Sequence, residues 1–306
     1  MLKVVMYSSR KSRLVAFSSI SSQGVYWLDA TRPNEKELEQ IKSKLQIVLR
    51  DLKDTIDPRE LSRIVNHSKY TLLIFRVPFR LGTTSLGIFI GDSYVLTVHK
   101  ENLNFLKRLH SSLELNGSSK KELSLIVYRI LLSAIREYSL ELDKIGYEVE
   151  STENRIFKGQ KETNLSRLFS LKKKLLYYRK SLTGNEQILD QIDQASFISR
   201  QNRELFMDLR VELTQVSSVL EVYRERLVEG MNLYVSSLSN RLNVIMKSFT
   251  VITSLLLLPM LISGVWGMNF SFIPFYTHPY GFYFPIVLMI LSVSLMLLYF
   301  KHKSWL

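Results

Sequence analysis

Residues 248–300 read SFTVITSLLLLPMLISGVWGMNFSFIPFYTHPYGFYFPIVLMILSVSLMLLYF and contain no Asp, Glu, Lys or Arg. Two apolar runs of 19 residues each, Ser248–Trp266 and Phe282–Phe300, flank a short loop that is rich in turn-forming residues. Each run approaches the ~20 residues that a helix needs to cross a ~30 Å hydrocarbon core. Helices of soluble proteins rarely lack charge on every face. We therefore predict a hairpin of two transmembrane helices.

Basic residues flank this hairpin at both of its ends but are absent from its loop. They lie just before the first run and just after the second: Arg241, Lys247, Lys301 and Lys303. Because Lys and Arg next to membrane spans stay in the cytoplasm, both termini are expected inside the cell and the loop outside. Lys and Arg recur from residue 3 onward, so no signal peptide is expected. The sequence predicts a multi-pass protein of the cell (inner) membrane with cytoplasmic termini.

The composition of the whole chain is basic and lacks cysteine. Its 306 residues include 41 Lys and Arg against 28 Asp and Glu, a formal net charge of +13. The absence of cysteine excludes a disulfide scaffold, a Cys-ligated zinc or iron–sulfur site and a cysteine nucleophile. The five histidines show no HxxxH or HExxH spacing, and no Walker A pattern occurs. We therefore expect neither an enzyme, nor a cofactor, nor an ATP-driven pump.

Residues 1–115 carry the signals of a cytosolic mixed α/β domain. Six strands are predicted in it: Val4–Tyr7, Leu14–Phe17, Val25–Leu28, Tyr70–Val77, Ser85–Ile90 and Tyr94–Val98. Helices are expected to begin at Pro33, at Asp57–Pro58 and at Glu101, because proline and acidic residues favour the first turn of a helix.

Residues 116–243 are expected to form a cytosolic helical domain and stalk, because they lack proline and their apolar residues recur at helical spacing. Helices are predicted over about 120–157, about 162–182 and from about 196 onward. The last one has no stop signal before the membrane, which gives roughly 70 residues or ~105 Å. Such a helix needs neighbours along its length, so copies of the chain are expected to pack together.

The predicted fold class follows from these three parts. It is α+β, with an N-terminal mixed α/β cytosolic domain, a long helical stalk and two C-terminal transmembrane helices. Residues 244–306 form the third part, a transmembrane hairpin that carries the loop and a basic tail.

One face of the first span could line a pore formed by several copies. At 100° per residue, a ~100° sector of this helix holds three polar side chains and a small residue. The sector contains Asn243, Met246, Thr250, Thr253, Leu257, Met260 and Gly264. Helix–helix packing is the alternative, since Thr and Gly are also favoured there. The sector has no Asp or Glu, so it could not dehydrate a divalent ion through carboxylate ligands.

The tripeptide Gly267–Met268–Asn269 follows directly on the first span. The segment Asn240–Phe270, NRLNVIMKSFTVITSLLLLPMLISGVWGMNF, closely resembles the first transmembrane helix and signature of the CorA magnesium transporter family. A GMN tripeptide at the outer end of the first of two terminal spans, after a long helix and before the basic tail YFKHKSWL, is a specific combination. The resemblance extends back through MNLYVSSLSN at Met231–Asn240 and, weakly, to the N-terminal VYWLDATRP.

The resemblance implies a homopentamer in which the long helix lines the pore and Asn269 of five chains forms a ring at the outer mouth, the selectivity filter. Gly267 would allow a tight backbone turn, and Met268 would brace the loop. Amide oxygens can accept hydrogen bonds from the water shell that Mg²⁺ holds tightly. The implied function is import of hydrated Mg²⁺, with Co²⁺ and Ni²⁺ as further substrates, down the electrochemical gradient and gated by cytosolic divalent cations.

The regulatory site implied by the resemblance is incomplete in this chain. Asp208 matches an acidic residue of that metal site on the long helix, with a solvated helix face as the alternative reading. The stretch that should supply the opposing acid, Phe79–Gly87, has none. Asp92 or Glu101 could replace it.

Ion choice and the nature of the partner also leave alternatives. The outer loop reads IPFY at Ile273–Tyr276, where the family has an acidic sequence, and offers only His278. A zinc transporter on the same scaffold is therefore one alternative, and a membrane-anchored structural or sensor protein without transport is another. The basic run Lys172–Lys174 alternates with apolar residues and favours a solvated or lipid-facing helix. We expect the bilayer, divalent cations and further copies of the chain as partners, and no nucleic acid.

Overall fold

The computed structural model describes residues 2–8, 11–14, 17, 24–112, 120–157, 165–192, 195, 197–269, 273–275 and 278–305. The chain forms two compact units, Met1–Gly230 and Met231–Leu306.

A mixed sheet of seven strands forms the centre of the first unit. The strands are β1 (Leu2–Ser8), β2 (Lys11–Leu14), β3 (Val25–Thr31), β4 (Arg63–Asn66), β5 (Thr71–Phe79), β6 (Gly82–Ile90) and β7 (Tyr94–His99). Their order in the sheet is β2-β1-β3-β7-β6-β5-β4. Strands β3 and β7 pair in parallel, and the other described pairs are antiparallel.

In the described part of the chain, seven α-helices follow the strands or lie between them. They are α1 (Glu35–Leu45), α2 (Leu49–Ile56), α3 (Asn104–Ser112), α4 (Lys120–Phe157), α5 (Leu165–Ile192), α6 (Arg203–Trp266) and α7 (Tyr283–His302). Helix α1 begins with a capping box, in which the Asn34 side chain accepts from the Glu37 amide and the Glu37 carboxylate accepts from the Asn34 amide, both at 2.9 Å.

The core of the first unit lies on both faces of the sheet. Helices α1 and α2 cover one face, and the buried cluster there includes Leu28, Ile41, Leu52, Leu72 and Leu96. Helices α4 and α5 pack against β5, and α5 also packs against β4 and β6. Both faces of the central strands are therefore buried, which explains their nearly continuous apolar sequences.

The fold class predicted from the sequence is confirmed, with local differences. Helix α4 occupies the predicted range, whereas α5 continues to Ile192. Gly184 sits inside this helix, and a Cβ at that position would lie only 3.0 Å from the Ser62 hydroxyl. Strand β2 lies earlier than the predicted Leu14–Phe17, of which residues 15 and 16 fall outside the described part. Strand β4 is only four residues long and was not predicted.

The prediction of a helix that begins at Asp57–Pro58 is wrong. Helix α2 ends at Ile56, just before this dipeptide. The Asp57 carboxylate accepts the amide N–H of Arg59 at 2.9 Å and so forms a local turn. Aspartate followed by proline is compatible with a helix start and with a turn, and the tertiary fold here uses the turn.

The second unit contains the end of α6 and all of α7. Both helices are long and apolar enough to cross a membrane, and only 6% and 11% of their most apolar segments are buried within the chain. Core helices of soluble proteins are mostly buried, so this exposure favours contact with lipid or with other subunits. Pro259 lies within α6 without ending it.

Candidate functional site

The seven residues of the predicted pore face all lie on α6, and their side chains are exposed on the single chain. Met260 is 73% exposed. The hydroxyl of Thr250 donates to the Met246 carbonyl at 2.8 Å, and that of Thr253 donates to the Phe249 carbonyl at 2.9 Å. Since each hydroxyl hydrogen is already used inside the helix, the oxygens present lone pairs. This face therefore offers neutral hydrogen-bond acceptors.

The two apolar helices of the second unit contact each other at the end of α6. Val251 of α6 and Phe300 of α7 are both buried in the second unit. The Trp266 ring lies 5.7 Å from the Phe284 ring, which in turn lies 4.8 Å from the Phe275 ring. These three aromatic side chains connect the end of α6, the loop and the start of α7, and they fix where the loop begins and ends.

The tripeptide at residues 267–269 forms the exit from α6. The amide of Gly267 donates to the Ser263 carbonyl at 2.9 Å, and the amide of Met268 donates to the Val265 carbonyl at 3.3 Å. These bonds pair carbonyls in the last turn of the helix. The Asn269 side chain is exposed and has no hydrogen-bond partner within the described part of the chain. Its amide is therefore available to a ligand at the helix end.

Backbone hydrogen bonds around Gly281 hold the described residues at the end of the loop. The Phe275 carbonyl accepts from the His278 amide at 3.1 Å, and the His278 carbonyl accepts from the Gly281 amide at 2.9 Å. A Cβ at Gly281 would lie 1.9 Å from the Phe275 carbonyl oxygen, so only glycine fits. His278 Nδ1 accepts from the Tyr280 amide at 3.2 Å. Phe270 and Tyr276 fall outside the described residues.

The candidate regulatory residue Asp208 is exposed on α6 and makes no ion pair with any described residue. The stretch Phe79–Gly87 forms a tight hairpin in which Phe79 pairs with Gly82, and it presents no carboxylate. Asp92 is exposed, whereas Glu101 is 3.4 Å from Arg32. Across the described ranges, no group of three His, Asp or Glu side chains comes close enough to hold a metal ion. Asp208 is therefore not part of any such group in the described part of the chain.

A buried pair of polar side chains, Asp29 and His99, joins the parallel strands β3 and β7. His99 Nε2 is 2.9 Å from the Asp29 carboxylate, and His99 Nδ1 is 2.5 Å from the Glu101 carbonyl. Burial raises the pKa of Asp29, but its hydrogen bond and charge interaction with His99 and a hydrogen bond from Thr97 outweigh burial and lower that pKa.

Comparison with known proteins identifies the scaffold that carries these features. The family described as "CorA-like Mg2+ transporter protein" matches residues 22–302. The chain belongs to the CorA family. Its sequence is 28% identical over 295 residues to the cobalt/magnesium transport protein CorA of Methanocaldococcus jannaschii, covering 94% of this chain and 93% of that protein.

Solved structures support the same assignment. The complete structure of the CorA magnesium transporter from Methanocaldococcus jannaschii superposes with a TM-score of 0.90 at 26% identity, covering 100% of this chain and 99% of that one. The cytoplasmic domain of ZntB from Vibrio parahaemolyticus has a TM-score of 0.65 at 12% identity, covering 78% and 98%, and shares the fold alone. The CorA relatives are transport proteins, which confirms the prediction that the chain is not an enzyme. The zinc alternative is not favoured.

Proposed function

We propose that this chain is the subunit of a homopentameric channel that imports hydrated Mg²⁺ across the cell membrane, with both termini in the cytoplasm. The observation that carries the proposal is the exposed amide of Asn269, which has no hydrogen-bond partner among the described residues and follows directly on a long helix with an apolar end in a CorA family chain. Five such amides around an axis form a ring of oxygens that accept hydrogen bonds from metal-bound water. Co²⁺ and Ni²⁺ are further substrates, in keeping with the cobalt/magnesium transport protein of Methanocaldococcus jannaschii.

The face of α6 that begins at Asn243 lines the path of the ion. Mg²⁺ gives up its water shell reluctantly, and its waters donate hydrogen bonds outward. The threonine oxygens at 250 and 253 present lone pairs because their hydrogens are bound to helix carbonyls. A neutral path of acceptors and apolar side chains conducts the hydrated ion without a deep binding site that would hold it.

Cytosolic Mg²⁺ closes this channel by binding near Asp208 between neighbouring subunits. Asp92 is the better candidate for the opposing acid, because Glu101 already lies beside Arg32, whereas Asp92 is exposed and has no described ion pair. An Asp208→Ala variant should then lose the protection against proteolysis that Mg²⁺ gives to the cytosolic part. Unchanged protection would remove Asp208 from the regulatory site.

Uptake into liposomes tests the proposed pore. We expect Asn269→Ala to reduce Mg²⁺ uptake by at least about tenfold, since the ring then has no polar group for the hydrated ion. Asn102→Ala, an exposed asparagine of the first unit, is the matched control and should transport normally. Normal uptake by Asn269→Ala would exclude the ring, whereas no divalent flux with the unaltered protein would favour a membrane anchor without transport.

Two further measurements address the finer parts of the proposal. The mass of the detergent-solubilised complex should equal that of five chains of 35.7 kDa. Competition between Mg²⁺ and Zn²⁺, with and without a proton gradient, should show Mg²⁺ transport that needs no proton gradient. Proton-dependent Zn²⁺ uptake would instead assign the chain to zinc transport.

A further inference from the structure

A cavity of about 610 Å³ opens on the first unit. Its walls are the loop after α2, the turn end of the β5–β6 hairpin and one face of α5. This volume falls in the range of about 300–1,000 Å³ that is typical of small-molecule sites. The α5 wall lies more than 90 residues along the sequence from the other two walls, so the cavity exists only in the folded unit.

The charge of the cavity is positive. Its lining includes Arg59, Arg76 and Lys180 and no Asp or Glu. The nearby carboxylates of Asp54 and Glu60 bind Arg63, at 2.6 and 3.1 Å. Asp57 and Glu60 also interact electrostatically with Arg76. The lining cations without an acidic partner among the described residues are therefore Arg59 and Lys180, and through them the cavity favours an anion.

Arg76 has a structural role in this cavity. Its Nη1 donates to the carbonyls of Pro58 and Glu60 at 2.6 and 2.8 Å, and its Nη2 donates to the Thr83 carbonyl at 2.8 Å. Its Nε donates to the Thr83 hydroxyl at 3.3 Å, so the guanidinium hydrogens are committed to holding the loop and the hairpin together. Arg76 contributes a fixed positive charge rather than a free hydrogen-bond donor.

Arg59 and Lys180 are the cations that a ligand can reach. Both are exposed, and neither side chain makes an ion pair or hydrogen bond with a described residue. They stand on opposite walls of the cavity, one on the loop and one on α5. Arginine binds phosphate oxygens in a two-pronged geometry, and lysine binds them as a point charge. Together they fit the phosphate groups of a small molecule.

An aromatic side chain lies next to these cations. Tyr177 is 42% exposed and lines the cavity beside Gly82, where a Cβ would come within 3.6 Å of the Tyr177 ring. Gly184 keeps the helix wall close to Ser62. An exposed ring beside cations is the arrangement that lets proteins stack a nucleobase while binding its phosphates.

We propose that this cavity binds a nucleoside phosphate, with Arg59 and Lys180 on the phosphate oxygens and the Tyr177 ring against the base. This site is separate from the proposed ion path and does not depend on transport. Phosphate groups also occur in lipid headgroups and as free inorganic anions, and those sources lack a planar base that would stack on Tyr177.

Calorimetry on the full-length protein in detergent micelles tests the site. We expect ATP to bind saturably, at one site per chain. Arg59→Ala and Lys180→Ala should each weaken the affinity for ATP by about tenfold, because each removes a charged hydrogen-bond partner. Lys172→Ala is the matched control, since Lys172 is an exposed lysine of the same helix that does not line the cavity. It should bind ATP as the unaltered protein does.

Measurements with different phosphate-containing ligands distinguish a nucleotide from a free anion or a lipid headgroup. Tyr177→Ala should weaken the affinity for ATP by about tenfold but leave the affinity for pyrophosphate unchanged, since only the nucleotide has a base that stacks on the ring. Circular dichroism of each variant verifies its fold. The proposal is overturned if ATP shows no saturable binding, or if Lys172→Ala weakens it as much as Lys180→Ala. Equal binding of pyrophosphate and ATP, or binding to phosphatidylglycerol vesicles that competes with ATP and ignores Tyr177, would also reject a nucleoside ligand.

Discussion

Replacing Asn185 by alanine should loosen the contact between α5 and the sheet. The side chain is fully buried and makes three hydrogen bonds. Its Oδ1 accepts from the Ser62 hydroxyl at 2.8 Å and from the Arg76 amide at 2.9 Å, and its Nδ2 donates to the Arg76 carbonyl at 2.9 Å. Strand β4 pairs with β5 only as far as Ile74, so Asn185 takes the place of a neighbouring strand at Arg76.

The size of the effect follows from these bonds. Three hydrogen bonds at about 1 kcal/mol each give about 3 kcal/mol. The Arg76 carbonyl keeps a bond from the Tyr138 hydroxyl at 3.2 Å, but the Arg76 amide is left without a partner. An orphaned buried group costs about 1–3 kcal/mol more. We expect Asn185→Ala to lower the free energy of opening β5 by about 4–6 kcal/mol, which is at least about a thousandfold in exchange rate.

Hydrogen–deuterium exchange of the full-length protein in micelles measures this opening directly. Peptides that contain β5 should exchange much faster in Asn185→Ala than in the unaltered protein, while peptides of α7 should not change. Ser62→Ala is the graded control, because it removes one of the three bonds and leaves the Arg76 backbone paired. It should lower the free energy of opening by about 1 kcal/mol. Equal exchange of β5 in the Asn185 and Ser62 variants would refute the account of Asn185 as a substitute strand.

Two other predictions concern pH and the loop. The first unit should lose stability as the pH falls below about 4, because Asp29 has a lowered pKa when folded. Its stabilisation is complete above the unfolded value of about 3.9 and is lost as pH falls through the lower folded value. Melting temperatures measured between pH 6 and pH 2 should fall less with decreasing pH in Asp29→Asn than in the unaltered protein. Gly281→Ala should reduce Mg²⁺ uptake severely, since its Cβ would lie 1.9 Å from the Phe275 carbonyl oxygen; uptake at the original rate would show that the loop backbone adapts.

The long elements of this fold could be predicted from the sequence, and the short ones could not. A run of 19 apolar residues or the 38-residue helix α4 carries many repeats of one pattern, so its type is well determined. Strand β4 has four residues and α2 has eight, which is too few for a period to emerge. At Asp57, the same dipeptide signals a helix start and a turn, and only contacts distant in sequence decide between them.

The candidate sites differ in the same way. Asn269 could be proposed from the sequence alone because its neighbours in the chain form a continuous motif. The cavity beside α5 could not, since Arg59 and Lys180 are 121 positions apart and nothing in either local sequence marks a partner. Gly281 was also missed as a critical residue, because its role depends on the path of the Phe275 backbone.

The charge-free segment of the sequence leaves the membrane potential as the main driving force for cation entry through the proposed channel. Because residues 248–300 contain no carboxylate, the proposed pore attracts a cation by the membrane potential and by neutral acceptors rather than by local negative charge. A potential of 100 mV contributes ~2.3 kcal/mol per charge, hence ~4.6 kcal/mol for a divalent ion. At about 1.4 kcal/mol per tenfold, this corresponds to an inward bias of more than about a thousandfold. A carboxylate at the mouth would add to the local concentration of ions, but it would also bind an ion more tightly and slow its release.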